Sequence, residues 1–493
     1  MIQEYRVEGS HILSPAEIGE VVYPFLGPER TEADVEAARA ALEKAYRDKG
    51  YQTVFVQIPQ QTVRRGIVRL QVVENKVGRL RVKGSRFFNQ DDILKKAPSL
   101  AEGKVPNFND VSRDLVGLNT LPDRRITSAL RPGVEPGTVD IDLNVKDTFP
   151  LHGNVELNNR ASPDTTDLRL NGSVSYNNLW QRGHSVGASF QVSPQDLDEV
   201  KVLSGYYIAR FPEVDWLALM LNGTKQNSNV STLGGLAVAG RGDMVGARAM
   251  ITLPPRTNFY QSLSVGVDYK KFNQLVSVAG GLPVETPTTY YPFSLSYSGT
   301  WADKKATTEL NTGVTFSARG AGEDREEFKN ARYRADSNFI IFRGDVAHTR
   351  ELPAGFEAFA KVQGQVSDQP LISSEQMSGG GLGTVRGYLE AEVVGDNGVF
   401  GSLELRSPSL LHWWSDKVGE FRVYGFAEGG VLDSYEPLPD QGTYFELASA
   451  GFGGRLRLLD HLGGSIDVGY PLISQSHTKP YNPQLTFRVW ADF

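Results

Sequence analysis

The segment Leu485-Thr486-Phe487-Arg488-Val489-Trp490-Ala491-Asp492-Phe493 ends the chain and sets its fold class. Leu485, Phe487, Val489, Ala491 and Phe493 take one face of an extended strand, and Thr486, Arg488, Trp490 and Asp492 take the other. Period two recurs from about Phe149 onward, where helical periodicity is lost. Leu168, Leu170, Gly172, Val174 and Tyr176 alternate with Asp167, Arg169, Asn171, Ser173 and Ser175. Val186, Ala188, Phe190 and Val192 do the same, as do Leu263, Val265, Val267 and Tyr269. So do Phe293, Leu295 and Tyr297, then Phe356, Ala358, Ala360 and Val362. The polar faces carry Arg, Asp, Lys and Gln, so that side is wet. A soluble sandwich of this length would need several domains with linkers, and the pattern runs without them. The reading is a transmembrane antiparallel β-barrel, apolar outside and polar inside.

Strand connections agree in kind. Short turns such as Leu352-Pro353-Ala354-Gly355 alternate with long polar stretches, for example Arg319 to Ser337 and Ser367 to Gly398. Aromatics near strand ends (Tyr290-Tyr291, Trp301, Trp413-Trp414) are expected to form interfacial girdles.

Composition excludes other classes. The 493 residues include 51 glycines and no cysteine, so there is neither a disulfide framework nor a thiolate metal site. A net charge of −7 argues against a nucleic-acid partner. Mean hydropathy is −0.31 and no apolar run is long enough to cross a bilayer as a helix. Barrel strands need only alternate apolar positions, so this value suits them. No signal peptide is visible at Met1-Ile2-Gln3-Glu4-Tyr5, so an exported chain would be read here in its mature form. The seven histidines are dispersed without metal spacing, and the glycine runs lack P-loop spacing. Asp91-Asp92 sits in a helix first turn, where the macrodipole accounts for it. No catalytic residue, cofactor or metal is assigned.

The first 147 residues contain a repeat. Val7-Glu8-Gly9-Ser10 and Val82-Lys83-Gly84-Ser85 lie 75 positions apart, and the same offset carries Ser14 onto Asn89 and Ile18 onto Ile93. Ser14 with Glu17 predicts a capping box, and Asn89 with Asp92 a weaker equivalent. A second helix follows in each copy. Thr31 to Lys49 presents Val35, Ala38, Leu42, Ala45 and Tyr46, and about Asn109 to Asn119 presents Val111, Leu115 and Leu118. Both copies end in alternating strands, giving α+β modules of order β-α-α-β-β. They resemble POTRA (polypeptide-transport-associated) domains, on the Val-x-Gly-Ser entries, the Lys49-Gly50-Tyr51 turn and the run Glu135 to Thr138. The expected division is 1–75, 76–148 and a barrel over 149–493. Edge strands around Thr53-Val54-Phe55-Val56 or Ile126-Thr127-Ser128-Ala129-Leu130 are candidate docking sites for an extended cargo peptide by strand addition.

A glycine-rich stretch, Ser378 to Thr384, leads into Val385-Arg386-Gly387-Tyr388, and Phe426-Ala427-Glu428-Gly429-Gly430 follows some forty residues on. With the module pair and the 346 residues of barrel, these motifs resemble the two-partner secretion transporters of the haemolysin and filamentous-adhesin secretion type. The resemblance spans essentially the whole chain. It implies a barrel of about 16 strands, which leaves about 22 residues per strand and connection. It implies that the Val-Arg-Gly-Tyr loop folds into the lumen, where Arg386 pairs with Glu428 on the wall. The family more often has Asp at that place. Strand parity puts Glu428 with Arg422 and Tyr424 on the inner face, and Phe426, unexpectedly, falls there too. The resemblance also marks Phe493 as the terminal aromatic read by the barrel-assembly machinery, and it implies outer-membrane lipid and a secreted exoprotein as partners. Family members commonly carry a lumen-plugging amino-terminal helix. Here the first module strand starts by about Gln3, so no gating role follows from one. An outer-membrane insertase of the same superfamily is the alternative, with a porin behind it.

Overall fold

A computed structural model describes residues 1–493 except 64, 212–213, 215, 228–229, 232–237, 240, 255, 257, 277–283, 319–324, 414–418, 439–441 and 460. The chain divides into two units, Met1–Pro150 and Leu151–Phe493.

In the first unit, β1 (Glu4–Glu8), α1 (Pro15–Val22), α2 (Glu32–Asp48), β2 (Val54–Gln57) and β3 (Ile67–Glu74) form one module. β3 is central, with β1 parallel and β2 antiparallel to it, so β2 is an edge. The stripe Ala38, Leu42 and Tyr46 of α2 is fully buried with Val54, Val68 and Leu70, which joins a helical period to one face of a sheet. The capping box at α1 is complete: Ser14 accepts from the Glu17 amide, and Glu17 accepts from the Ser14 amide at 2.9 Å.

The second module comprises β4 (Lys76–Lys83), α3 (Gln90–Lys95), α4 (Phe108–Leu118), β5 (Arg124–Pro132) and β6 (Thr138–Asp147). Its sheet order is β4-β6-β5, and its own core contains Ile93, Leu100, Val111, Leu118 and Leu143. Asn89 caps α3 by accepting from the Asp91 amide, two residues on, at 2.8 Å. The Lys49-Gly50-Tyr51 turn meets the start of α4. Asn107 donates to the Lys49 carbonyl at 3.0 Å and the Phe108 amide to the Gly50 carbonyl at 2.9 Å.

The second unit is a closed antiparallel barrel. Among the described residues seventeen strand segments take part, but Val284–Tyr290 and Phe293–Ala302 pair with Phe259–Val276 in one continuous register. Pro292 interrupts them because it has no amide to donate, although its carbonyl still accepts from Asp268 at 3.0 Å. The barrel therefore has sixteen crossings. Closure comes from Gln484–Asp492 pairing with Leu151–Asn158. Phe493 exchanges both backbone hydrogen bonds with Gly153, at 2.9 and 3.0 Å. Its ring covers Gly153 so closely that a Cβ there would lie 1.9 Å from it. Phe190 over Gly172 and Trp490 over Gly463 repeat this ring-on-glycine packing, which pins strand register.

The faces are inverted relative to a soluble core. Leu203, Leu221, Val265, Leu403, Phe452, Ile466 and Val489 are exposed, whereas Glu156, Arg169, Gln191, Asp268, Glu404 and Asp467 are buried inside. An apolar outer belt around a polar interior fits a lipid surround. Trp301 lies on that belt, stacked on Phe259 at 4.4 Å, and Tyr291 packs on Tyr269 at 5.4 Å. Tyr290 corrects the girdle expectation, because it is fully buried and donates to Glu375 at 2.7 Å. Its parity is that of Thr286 and Thr288, the inner face. Trp414 and the Trp413 side chain lie outside the described residues, as do positions 319–324 of the long stretch beginning at Arg319. The rest of that stretch contains an unexpected helix, Arg325–Ala331.

The α1 cap generates a pH prediction. A hydrogen bond from Lys49, helped by the Ser14 amide and hydroxyl, pulls the Glu17 carboxyl down from 4.5 to about 2. A depressed acid contributes stability above its ordinary value and loses it as pH falls through the folded one. Between about pH 4.5 and 2 the start of α1 should therefore loosen, with Glu17 titrating by NMR near 2. Lys49→Met should move that titration back toward 4.5; a Glu17 that already titrates near 4.5 in the unaltered chain would contradict the cap.

Candidate functional site

Between strands Glu357–Ser367 and Asn397–Arg406 the chain turns back into the lumen. Its base is a two-stranded ladder, Met377–Gly379 with Val393–Gly395, and its tip carries Val385-Arg386-Gly387-Tyr388, all buried. Such a tip is possible only if the wall supplies partners for it.

The wall supplies three carboxylates. Glu428 accepts Arg386 Nε at 3.0 Å and Nη2 at 2.6 Å on Oε1, and the Arg386 backbone amide at 2.7 Å on Oε2. Arg386 Nη1 donates to Asp467 at 2.9 Å and Nη2 to Glu404 at 3.0 Å. The pocket thus concentrates negative charge around one cation, and each carboxylate has a further partner. Ser402 donates to Glu428 at 2.9 Å, Tyr424 to Asp467 at 2.9 Å and Arg406 to Glu404 at 2.6 Å. Phe426, the aromatic that parity placed unexpectedly inside, is the floor: its ring centre lies 3.6 Å from the Arg386 guanidinium carbon. Phe426 and Tyr424 lie flat because Gly451 and Gly453 face them on the next strand, where a Cβ would meet their rings at 2.4 and 2.6 Å. Charge-assisted forks of this kind are the strong hydrogen bonds. Removing one member of such a buried group costs on the order of 3–5 kcal/mol, mostly through the charge left behind.

The neighbours of Arg386 seat the tip. Gly387 has φ +93°, and a Cβ on it would lie 3.1 Å from the Gly469 carbonyl carbon, so the turn needs glycine for both conformation and space. The Tyr388 hydroxyl donates to the Ile473 carbonyl at 2.8 Å and accepts from the Ile473 amide at 3.2 Å. Val385 packs with Tyr388, Val393, Phe400, Leu432 and Leu447. Gly430 leaves room for the Phe400 ring in that cluster. Further along the loop, Glu390 pairs with Arg160 at 2.6 Å and Glu375 with Lys270 at 2.5 Å. A lumen cavity of about 450 Å³ runs beside it, lined in part by Arg160, Lys270, Arg343, Lys361 and Glu375.

Sequence reasoning named Arg386, Glu428 and Phe426, and the structure brings these together. It missed Asp467 and Glu404. Both have inward parity, but nothing in a one-dimensional pattern marks their height against the loop tip. The candidate docking strands lie in the first unit. β2 with Thr53 before it is a sheet edge, as is β5, which contains Ile126, Thr127, Ser128, Ala129 and Leu130. Val54, Val56 and Ile126 point into the cores, while Phe55 and Leu130 line one groove of about 550 Å³.

A family profile described as haemolysin secretion/activation protein ShlB/FhaC/HecB matches residues 137–456. The chain belongs to that family. A second profile, POTRA domain of ShlB type, matches residues 1–75. The chain is 23% identical over 485 residues to the outer membrane transporter CdiB of Dickeya dadantii, covering 91% of this chain and 78% of that one. It is 20% identical over 391 residues to the heme/hemopexin transporter protein HuxB of Haemophilus influenzae, covering 78% and 67%. In fold it is similar to CdiB from Escherichia coli, with TM-score 0.72, 20% identity and coverage of 100% and 90%. BamA from Haemophilus ducreyi is also similar, with TM-score 0.59, 15% identity and full coverage of both chains. The ShlB/FhaC/HecB chain described here is an outer-membrane translocator of the two-partner secretion type, with POTRA modules that are periplasmic in this family.

The absence of cysteine allows a direct check of the latch. A single Val385→Cys, at a position with 0% exposure, should resist a bulky maleimide in the folded barrel. Adding Glu428→Ala should make it react rapidly. Equal protection in both chains would mean that Glu428 does not hold the loop.

Proposed function

We propose that this family member captures one large unfolded exoprotein in the periplasm and passes it through its barrel to the cell surface without ATP. Residues 1–75 and 76–148 would be the receiving modules and 149–493 the conduit. The exoprotein is proposed as an adhesin, cytolysin or toxin. The names of the relatives, a CdiB transporter and a heme/hemopexin transporter, point to different cargoes carried by similar chains. The amino-terminal secretion region of the cargo would add as a strand to an open edge, β2 or β5, with side chains in the groove lined by Phe55 and Leu130. The outer belt would contact lipid, and the terminal Phe493, 64% exposed, would be offered to the barrel-assembly machinery. No bond-making step is assigned to any residue. Folding of the cargo outside would bias its direction.

The observation that carries this reading is the Arg386 fork on Glu428. It commits a buried cation and three carboxylates to holding a loop inside the lumen, in a chain that also carries the module pair a plain porin would have no reason to have. The test is secretion in a Gram-negative host that co-expresses this chain, fitted with a signal peptide, and a candidate exoprotein. Cargo should appear in the medium, and Arg386→Ala should abolish export while the barrel still inserts. Full export by Arg386→Ala would refute the role of the latch. An inserted barrel that releases no cargo and instead speeds assembly of other barrels would favour an insertase.

A further inference from the structure

Another buried charge pair, apart from the Arg386 pocket, joins three loops. Arg332 follows the helix Arg325–Ala331, in the connection between strands Ala306–Phe316 and Ile340–Glu351. Its two terminal nitrogens engage both oxygens of Asp396, with Nη2 to Oδ2 at 2.7 Å. The same guanidinium donates to the Leu371 carbonyl at 2.6 Å and to the Tyr435 carbonyl at 3.0 Å. Leu371 lies near the start of the inward loop and Asp396 closes it, while Tyr435 belongs to the connection after strand Gly419–Asp433. Asp396 has 0% exposure and also accepts the Leu371 and Tyr435 amides, at 3.0 and 2.8 Å. One planar fork therefore ties both ends of the inward loop to two neighbouring connections. Lysine has a single ammonium and cannot reproduce that geometry.

Beside the fork lies an apolar cluster separate from the one that packs around Val385. Phe328, from the helix, packs with Tyr290, Phe339, Ile341, Leu371 and Ile372. Ile341 has 0% exposure between Ile340 and Phe342 at 54% and 52%, so it points inward while its neighbours face the belt. Apolar constrictions close pores by excluding water. The Arg386 partners, Glu428, Asp467 and Glu404, are a separate set of wall residues.

We infer that Arg332 is a positioning residue that seals the loop-bearing end of the pore. Its fork on Asp396 seats the Phe328 cluster in the lumen and ties that plug to the root of the inward loop. The inference needs a pore but no cargo, so it stands or falls separately from the export reading.

The test is single-channel conductance of the purified full chain in a planar lipid bilayer, with heat-modifiable gel mobility as the check that each barrel is folded. Arg332→Gln and Phe328→Ala should each raise open time or conductance severalfold over the unaltered chain. Arg332→Lys should leak as Arg332→Gln does, because it keeps the charge and loses the fork. Unaltered conductance in folded Arg332→Gln and Phe328→Ala would overturn the assignment, and so would a tight Arg332→Lys pore. If Arg332→Gln does not fold, the pair Arg332→Met with Asp396→Asn removes the stranded charge, and a tight pore in that chain is equally contrary.

Discussion

One guanidinium, removed from water and surrounded by three carboxylates, sets the conditions for the rest of the barrel. A buried cation is tolerated when its charge is matched and its donors are engaged, and the Arg386 guanidinium makes four hydrogen bonds to the carboxylates of Glu428, Asp467 and Glu404. The carboxylates come from three strands, Asn397–Arg406, Gly419–Asp433 and Leu462–Pro471, so register must bring them to one height. The pairings do this. Glu404 stands opposite Phe426, Phe426 opposite Gly451, and Gly451 opposite Gly469, where the tip of the loop touches the wall. A slip of one residue in any of these ladders would turn an acid outward into the apolar belt.

The same pocket explains local choices that look unfavourable in isolation. Glycines inside strands weaken a sheet, yet Gly451 and Gly453 are where aromatic rings must lie flat to form the floor under the cation. Gly387 adopts a conformation that other residues avoid, and it lets the tip approach the Gly469 backbone. Polar groups inside and apolar groups outside then follow from the surroundings, lipid on one side and a wet lumen on the other. The loop is held at its tip by Arg386, along its limbs by Arg160 and Lys270, and at its root by Arg332. These charge pairs are separated along the loop, so the tip can stay docked while another part of the loop moves.

Much of this was readable from the chain. Period two over Leu168 to Tyr176 and over Leu485 to Phe493 identifies barrel strands, because alternation reports directly on two unlike environments. The 75-residue offset exposed the module pair, and parity put Glu428 on the inner face. What parity lacks is height. Asp467 and Glu404 are two of the 58 acidic residues, and their relation to Arg386 depends on barrel shear, which no local pattern encodes. Tyr290 was misread as a girdle aromatic because its position near a strand end outweighed its shared parity with Thr288. Arg332 and Asp396 lie in loops without periodicity, and their meeting follows from where the barrel delivers the ends of those loops.

The central claim is that the Arg386 tip stays on the wall while polypeptide occupies the lumen. Pulsed electron resonance between spin labels at Gly383, beside the loop tip, and Ala450, on the outer face of the wall strand Tyr444–Leu458, measures it, in the resting barrel and with a cargo stalled in transit by a folded domain. The account predicts the same narrow distance distribution in both states, with export lost when Arg386 is replaced. A distribution that lengthens and broadens once cargo is stalled would contradict it, because the tip would then leave its carboxylates for export to proceed.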